Sequence, residues 1–249
     1  MSDVGYCTLE DLRRALQEAE LPGDIEQDQA IAVDSITAQT EWLEKSLKRH
    51  WYAPAGADIL DEATAIDIPT EPNSRDDEED IPTSSAFVVD DDGPAPKTYQ
   101  GDYARISLDR RDAGEVTQLL VRDADGGYTD WVASDDYDGG QFSDALGDDY
   151  YVRVNNSGWS YLYLDVTNLY DDEKEEYVLD TFSNAVYVFF DYGHEGFPQT
   201  LRRAVAFRAA SDHVEEAAMQ IPDSARVRSV ESLADKFERK AEELLEVYR

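Results

Sequence analysis

Apolar residues recur along this chain with two different periods: helical spacing near both ends, and alternation or short apolar runs between Phe87 and Asp191. Near the N-terminus, Thr8 and Asp11 make a capping-box pattern at the head of a stripe of Leu9, Leu12, Leu16 and Ala19, which "LPGD" closes. Asp24 is placed to cap a second, longer helix carrying Ile25, Ala32, Ile36, Leu43 and Leu47. That helix ends near "KRHWYAPAG", where Pro54 and Gly56 break it. Two helices joined by a short Pro-Gly turn are expected to pack as an antiparallel pair.

The middle of the chain reads differently. "AIDIPT" predicts one short strand, and residues 71–85, "EPNSRDDEEDIPTSS", predict an exposed acidic loop with nothing to bury. Seven candidate strands follow: "AFVVD", "YARISL", "EVTQLLVRD", "YTDWVA", "YYVRV", "WSYLYLDV" and "AVYVFFDY". "DDDGPAP", "DADGG", "YDGG" and "NNSG" read as the turns between them. Helices return after Pro198, first with Leu201, Phe207, Val214, Ala218 and Ile221 on one face and Arg202, Arg203 and Arg208 mostly elsewhere. The last helix, from Val227 to Tyr248, carries Val230, Leu233, Ala234, Phe237, Ala241, Leu244, Leu245 and Tyr248 at a strict helical period. The expected class is α+β: a helical bundle from the N- and C-terminal helices with a β-rich, sandwich- or barrel-like insertion. Its expected segments are residues 1–62, 63–192 and 193–249.

Composition changes the meaning of the surface. The 249 residues hold 56 Asp and Glu against 22 Lys and Arg, a net charge of −34, and only six of the basic residues are lysine. With 11% aromatic residues and clean apolar periods, disorder is a poor reading. A folded chain with this self-repulsion fits molar salt, where charge is screened over about 3 Å. The source reads as an extreme halophile, most simply archaeal, and acidity then says little about ligands, because a solvated acidic face is the default. The lone Cys7 allows no internal disulfide. No stretch approaches the roughly 20 apolar residues of a bilayer span, and "MSDVGYCTLEDL" has neither a basic nor an apolar leader region, so synthesis in the cytoplasm and no membrane are expected.

Candidate chemistry is sparse. The chain has no G-x-S-x-G elbow, no phosphate-binding glycine loop and no paired cysteines, so no enzyme, catalytic residue, cofactor or metal is expected. His50 and His213 fall in predicted helices without an i+4 histidine. His194, beside Asp191 and Glu195 in "DYGHEG", has ligand chemistry but reads better as a polar turn residue. "DADGG" alternates acids like a Ca²⁺ loop yet lacks the later bidentate Glu, and Asn155 in "NNSG" fits a hairpin turn as well as a sequon. With so many carboxylates, any glycosidase-like pair is without weight. Trp131, Trp159, Tyr161 and Tyr163 on neighbouring predicted strands offer a sugar-stacking face. They carry the alternative reading, a carbohydrate-binding or other β-sandwich interaction module of a halophile.

The order of elements also resembles a known family. "RISLDRRDAGEVTQLLVRDADGGYTDWVASDDYD", followed later by "AVYVFFDYGHEGFPQTLRRAVAFRAA", is similar to the head–tail connector (adaptor) proteins of tailed viruses. The family pattern of D-x-D-G turn, D-Y and P-x-x-L-x-x-A helix falls on Asp123, Asp125, Gly126, Asp136, Tyr137, Pro198, Leu201 and Ala204, and its strand ending in Y-x-x-G is approximated by Tyr192, Gly193 and Gly196, with one residue more between Tyr192 and Gly196. "YCTLEDLRRAL" and "AIAVDSITAQTEWLE" resemble the family's opening helices.

The resemblance implies a virion protein without catalytic activity, assembled in the cytoplasm of a halophilic archaeal host. It would form a dodecameric ring below the portal at the head–tail junction. Its neighbours would be the portal protein, a tail or tail-completion protein and capsid protein, with viral DNA passing through without sequence-specific binding. Gly193, Gly196 and Pro198 would return the chain from insertion to bundle. Family members use C-terminal segments on the portal, which nominates Phe237, Leu244, Leu245, Tyr248 and Arg249, with ordinary core packing as the other reading.

Overall fold

The computed structural model describes residues 3–17, 29–57, 66–75, 87–90, 93–140, 149–219 and 224–248. Over these residues the fold is α+β, with four helices and several sheets, one of them curled into a half-barrel. Two compact units divide the chain: residues 1–71 with 195–249, and residues 72–194.

The first unit holds α1 (Leu9–Gln17), α2 (Gln29–Leu47), α3 (Gln199–Met219) and α4 (Ser224–Leu245). Thr8 heads α1 as its spacing predicts. Its N–H donates to Asp11 Oδ2 at 3.0 Å, and the Asp11 N–H donates back to Thr8 Oγ1 at 3.3 Å, which satisfies two otherwise orphaned amides. Lys48, at a φ of 52°, follows the end of α2, so His50 lies beyond the helix and not inside it as expected. Asp24, Ile25 and the "LPGD" turn lie outside the described residues, as do the side chains of Ala218, Ile221 and Val230.

Helix α3 packs against α1, α2 and α4. Its periodicity predicts one apolar face, but Leu201, Ala204, Val205, Phe207, Ala209 and Val214 are all buried. The alanines are too small to mark a face in the pattern, and they let neighbouring backbones close on several sides. One hydrophobic core joins these positions to Leu12 of α1, Ile36 and Leu43 of α2, and Phe237 and Leu245 of α4. The arginines of α3 are drawn in as well. Arg202 Nε donates to Asp11 Oδ2 at 2.5 Å, and Arg208 donates to Gln39 at 2.6 Å and Glu242 at 3.0 Å.

The second unit contains two main sheets. The four-stranded one runs in the order Tyr128–Asp130, Ala113–Arg122, Val186–Tyr192 and Asn73–Arg75. The five-stranded one runs Gly139–Gly140, Tyr150–Val154, Trp159–Asp165, Tyr103–Arg111 and Thr98–Gln100. Both contribute to one core, with Ile106, Leu162 and Leu164 from the five-stranded sheet and Leu119, Val188 and Phe190 from the four-stranded one.

Two local expectations are corrected here. Asn73–Arg75, read as exposed loop, is a strand antiparallel to Phe190–Tyr192, and Arg75 is buried with its guanidinium donating to the Leu108 carbonyl at 2.6 Å. A strand of polar residues has no apolar alternation, so pairing alone defines it. The rest of that acidic loop, residues 76–85, lies outside the described residues. Gly93–Pro96, read as turn, pairs with Phe87–Asp90 in a two-stranded ladder, where edge positions tolerate proline.

Candidate functional site

The turn ahead of α3 needs its glycines. Gly193 and Gly196 hold φ values of 152° and 123°, conformations that a side chain disfavours. The Gly193 N–H donates to the Asp112 carbonyl and the Gly196 N–H to the Tyr52 carbonyl, each at 3.0 Å. Pro198 stands one residue ahead of α3, and its carbonyl accepts from the Arg202 N–H at 3.1 Å. Leu201 and Ala204 are 0% exposed, so the P-x-x-L-x-x-A pattern marks core positions.

The nominated C-terminal residues divide. Phe237 and Leu245 are buried in the core, with the Phe237 ring 6.0 Å from that of Phe207. Leu244 and Tyr248 are half-buried against the same core; Tyr248 meets Trp51 edge-on at 5.9 Å and shares a hydrogen bond with Thr200. Arg249 lies outside the described residues. Val247, which falls between the stripe positions and so escapes the periodicity, is 84% exposed.

The candidate polar sites resolve into structural contacts. His194 Nδ1 is 3.8 Å from Asp112 Oδ2, while Asp191 accepts from Ser74 Oγ at 2.6 Å. Among the described residues, no group of three or more His, Cys, Asp or Glu side chains is placed to hold a metal. Asp123, Asp125 and Gly126 (φ 89°) form the hairpin turn ahead of Tyr128–Asp130, tied by Thr129 Oγ1 donating to Asp123 at 2.8 Å. Asn155 Oδ1 accepts from the Ser157 and Trp159 amides at 2.9 and 3.0 Å, which makes "NNSG" a turn.

A buried cluster in the first unit had no signal in the sequence. Tyr6 Oη donates to Glu44 and accepts from the Trp51 N–H at 2.8 Å, and His50 Nδ1 lies 2.6 Å from the same Glu44 carboxylate. His50 Nε2 meets the Glu71 carbonyl at 3.2 Å. Its polar atoms are turned on one another, so the cluster fixes the path of the chain after α2.

The aromatic residues separate into two places. Trp131 is buried in the core of the second unit, stacked on Tyr137 at 4.2 Å, and takes no part in an open face. Trp159, Tyr161 and Tyr163 do share one side of the five-stranded sheet, since the alternating Leu162 and Leu164 point into the core. Strand register puts Tyr151 and Arg153 beside Tyr163 and Tyr161 on one flank, and Arg105 beside Tyr163 on the other. Tyr151 and Tyr163 stack at 4.6 Å. Arg105 lies over Tyr99 at 4.0 Å and over Tyr161 at 4.9 Å, Arg153 over Tyr151 at 5.4 Å, and Arg111 over Trp159 at 4.7 Å. Burial pushes the Tyr151 phenol up; Arg153 pulls the other way and Tyr163 adds to the rise. The ring faces that a pyranose would stack on therefore carry guanidinium groups instead.

No family model, no curated protein and no solved structure matches this chain. Function must be read from these residues. The arginine–aromatic face is the arrangement with the most recognition chemistry: planar cations with several N–H donors, set beside aromatic rings at 4.0–5.4 Å. Among the described residues, no helix is long and apolar enough to cross a membrane.

Proposed function

We propose that this chain is a non-catalytic virion subunit, a head–tail connector (adaptor) of a tailed virus of halophilic archaea. It assembles as a dodecameric ring below the portal, docks a tail or tail-completion protein beneath, neighbours capsid protein, and lets viral DNA pass without sequence-specific contact. In this reading the helices of both chain ends are the connector bundle and the β unit is its sandwich- or barrel-like insertion.

One observation carries the reading. Residues from both ends of the chain, Leu12 and Ile36 on one side and Leu201 and Phe237 on the other, close a single core, and the family-like pattern from Asp123 to Ala204 runs through the turn that leads into it. A packed helical wall offers a firm surface for the heterologous side-by-side contacts that close a ring. The portal contact narrows at the same time. Phe237 and Leu245 are buried in the core, so Leu244, Tyr248 and Arg249 of the nominated residues, with Val247 beside them, are the proposed portal-facing positions.

The alternative, a carbohydrate-binding or other interaction module, is favoured only by the shared face of Trp159, Tyr161 and Tyr163, and the arginines on those rings weigh against sugar stacking. Immunogold labelling of virions tests the connector reading. Gold at one vertex, between head and tail, is expected; label along the tail shaft, over the whole capsid, or absent from virions contradicts it.

A further inference from the structure

We propose that the outer face of the five-stranded sheet, through Arg105 and Arg153, is a contact surface for a carboxylate-bearing face of a second copy of this chain. Both arginines are exposed, and neither forms an ion pair among the described residues. The nearby acids on these strands are engaged elsewhere: Asp165 accepts from the Thr167 N–H at 2.8 Å, and Asp109 lies 3.5 Å from Arg110. In a chain with 56 acidic residues, two arginines on one sheet face that have rings for neighbours and no carboxylate partner among the described residues are a poor match for a merely solvated surface.

The Arg105 guanidinium carbon lies 4.0 Å from the Tyr99 ring centroid and 4.9 Å from that of Tyr161, and the Arg153 carbon 5.4 Å from that of Tyr151, so each cation is neighboured by rings while its residue stays exposed. Ring contacts restrict a guanidinium before any partner arrives, which lowers the ordering cost of binding, and its planar fork is the group that matches a carboxylate in two parallel hydrogen bonds. In molar salt, attraction beyond about 3 Å is screened, so contact geometry of this kind survives where a diffuse charge patch does not.

Charge complementarity selects the occupant. With a net charge of −34, the chain offers carboxylates in abundance for a second copy to present, whereas two arginine faces would repel one another. The contact is therefore heterologous, one copy's arginine face on the next copy's acidic face. Repeated, that operation gives a closed ring or an open filament and not a two-fold dimer. Closure into a ring rests on the connector reading; the contact itself does not.

Mass photometry in molar KCl, without and with the portal of the same virus, tests this on the wild type and on two double variants. These are Arg105→Gln with Arg153→Gln, and Arg105→Lys with Arg153→Lys. The wild type is expected to assemble, and both variants are expected to raise the half-assembly concentration about thirtyfold or more while keeping the wild-type circular dichroism. The lysine pair keeps the charge but loses the planar fork. Free arginine added to the wild type is expected to dissolve the assemblies at concentrations where the same increment of KCl does not, and this readout needs no substitution.

A wild type that stays monomeric both alone and on the portal overturns the contact, as does a dimer indifferent to free arginine. So does a monomer that captures an oligonucleotide through these arginines. Portal-bound rings formed equally by the variants remove this contact and leave the connector reading standing. Arginine-dependent open chains keep the contact and remove the ring.

Discussion

In the helical unit, the side chains of Arg202 and Arg208 are only 16% and 14% exposed and are held against Asp11 and Glu242, whereas in the β unit Arg105 and Arg153 stand exposed on tyrosine rings. The first pair ties α3 to α1 and α4, in sites that salt screens weakly because water is largely excluded. The second pair ties nothing together that its strands do not already join. A chain with 56 acidic and 22 basic residues has few cations, and of these four arginines two fasten helices inside one unit while two stand on a face of the other.

Three substitutions separate the units, in falling order of effect. Phe237→Ala removes a fully buried ring packed on Phe207 and is expected to cost about 3–5 kcal/mol, read as faster hydrogen exchange in α3 and α4 with the five-stranded sheet little changed. Equal acceleration in both units would show that they do not have independent cores. Gly139→Ala acts on the β unit: a Cβ there would lie 2.0 Å from Tyr150 Cζ, so the ring must move, at a cost of about 1–3 kcal/mol. Its exchange signature is expected in strands Tyr150–Val154 and Trp159–Asp165, and unchanged protection there would contradict the packing described.

The smallest effect has the opposite sign. Burial raises the Asp212 carboxyl above its ordinary range, against a lowering by the Gln39 hydrogen bond and Arg208, with Glu238 adding to the rise. The native state therefore holds this proton more tightly than the unfolded chain does. Its stabilising effect is present below the ordinary carboxylate value and is lost as pH climbs through the raised one. Asp212→Asn is expected to stabilise the helical unit at neutral pH by less than about 1 kcal/mol and to gain nothing in acid. Stabilisation that persists unchanged into acid would contradict that linkage.

What could be read from the sequence follows the range of the interactions. Capping by Thr8, the stripes of α1 and α4, and the turns at Asp123–Gly126 and Asn155–Gly158 are local, and their residues announce them. The burial of α3 on several sides depends on which helices reach it, and alanine leaves that choice unmarked. Asn73–Arg75 is a strand only because Phe190–Tyr192 lies beside it. The Tyr6, Glu44 and His50 cluster joins residues up to 44 positions apart. The candidate site shows both limits at once. Alternation correctly set Trp159, Tyr161 and Tyr163 on one side of their strand, yet it grouped them with Trp131, which is core, and missed Arg105 and Arg153. Those arginines arrive through strand register, which shifts between Trp159 and Tyr161 where Asp109 takes a φ of 52°.

The most direct measurement of the central claim is the mass of the particle formed when this protein is mixed, in molar salt, with the portal of the same virus. The account predicts a portal carrying a dozen added copies. A portal that keeps its own mass while this chain stays a monomer beside it would contradict the connector reading.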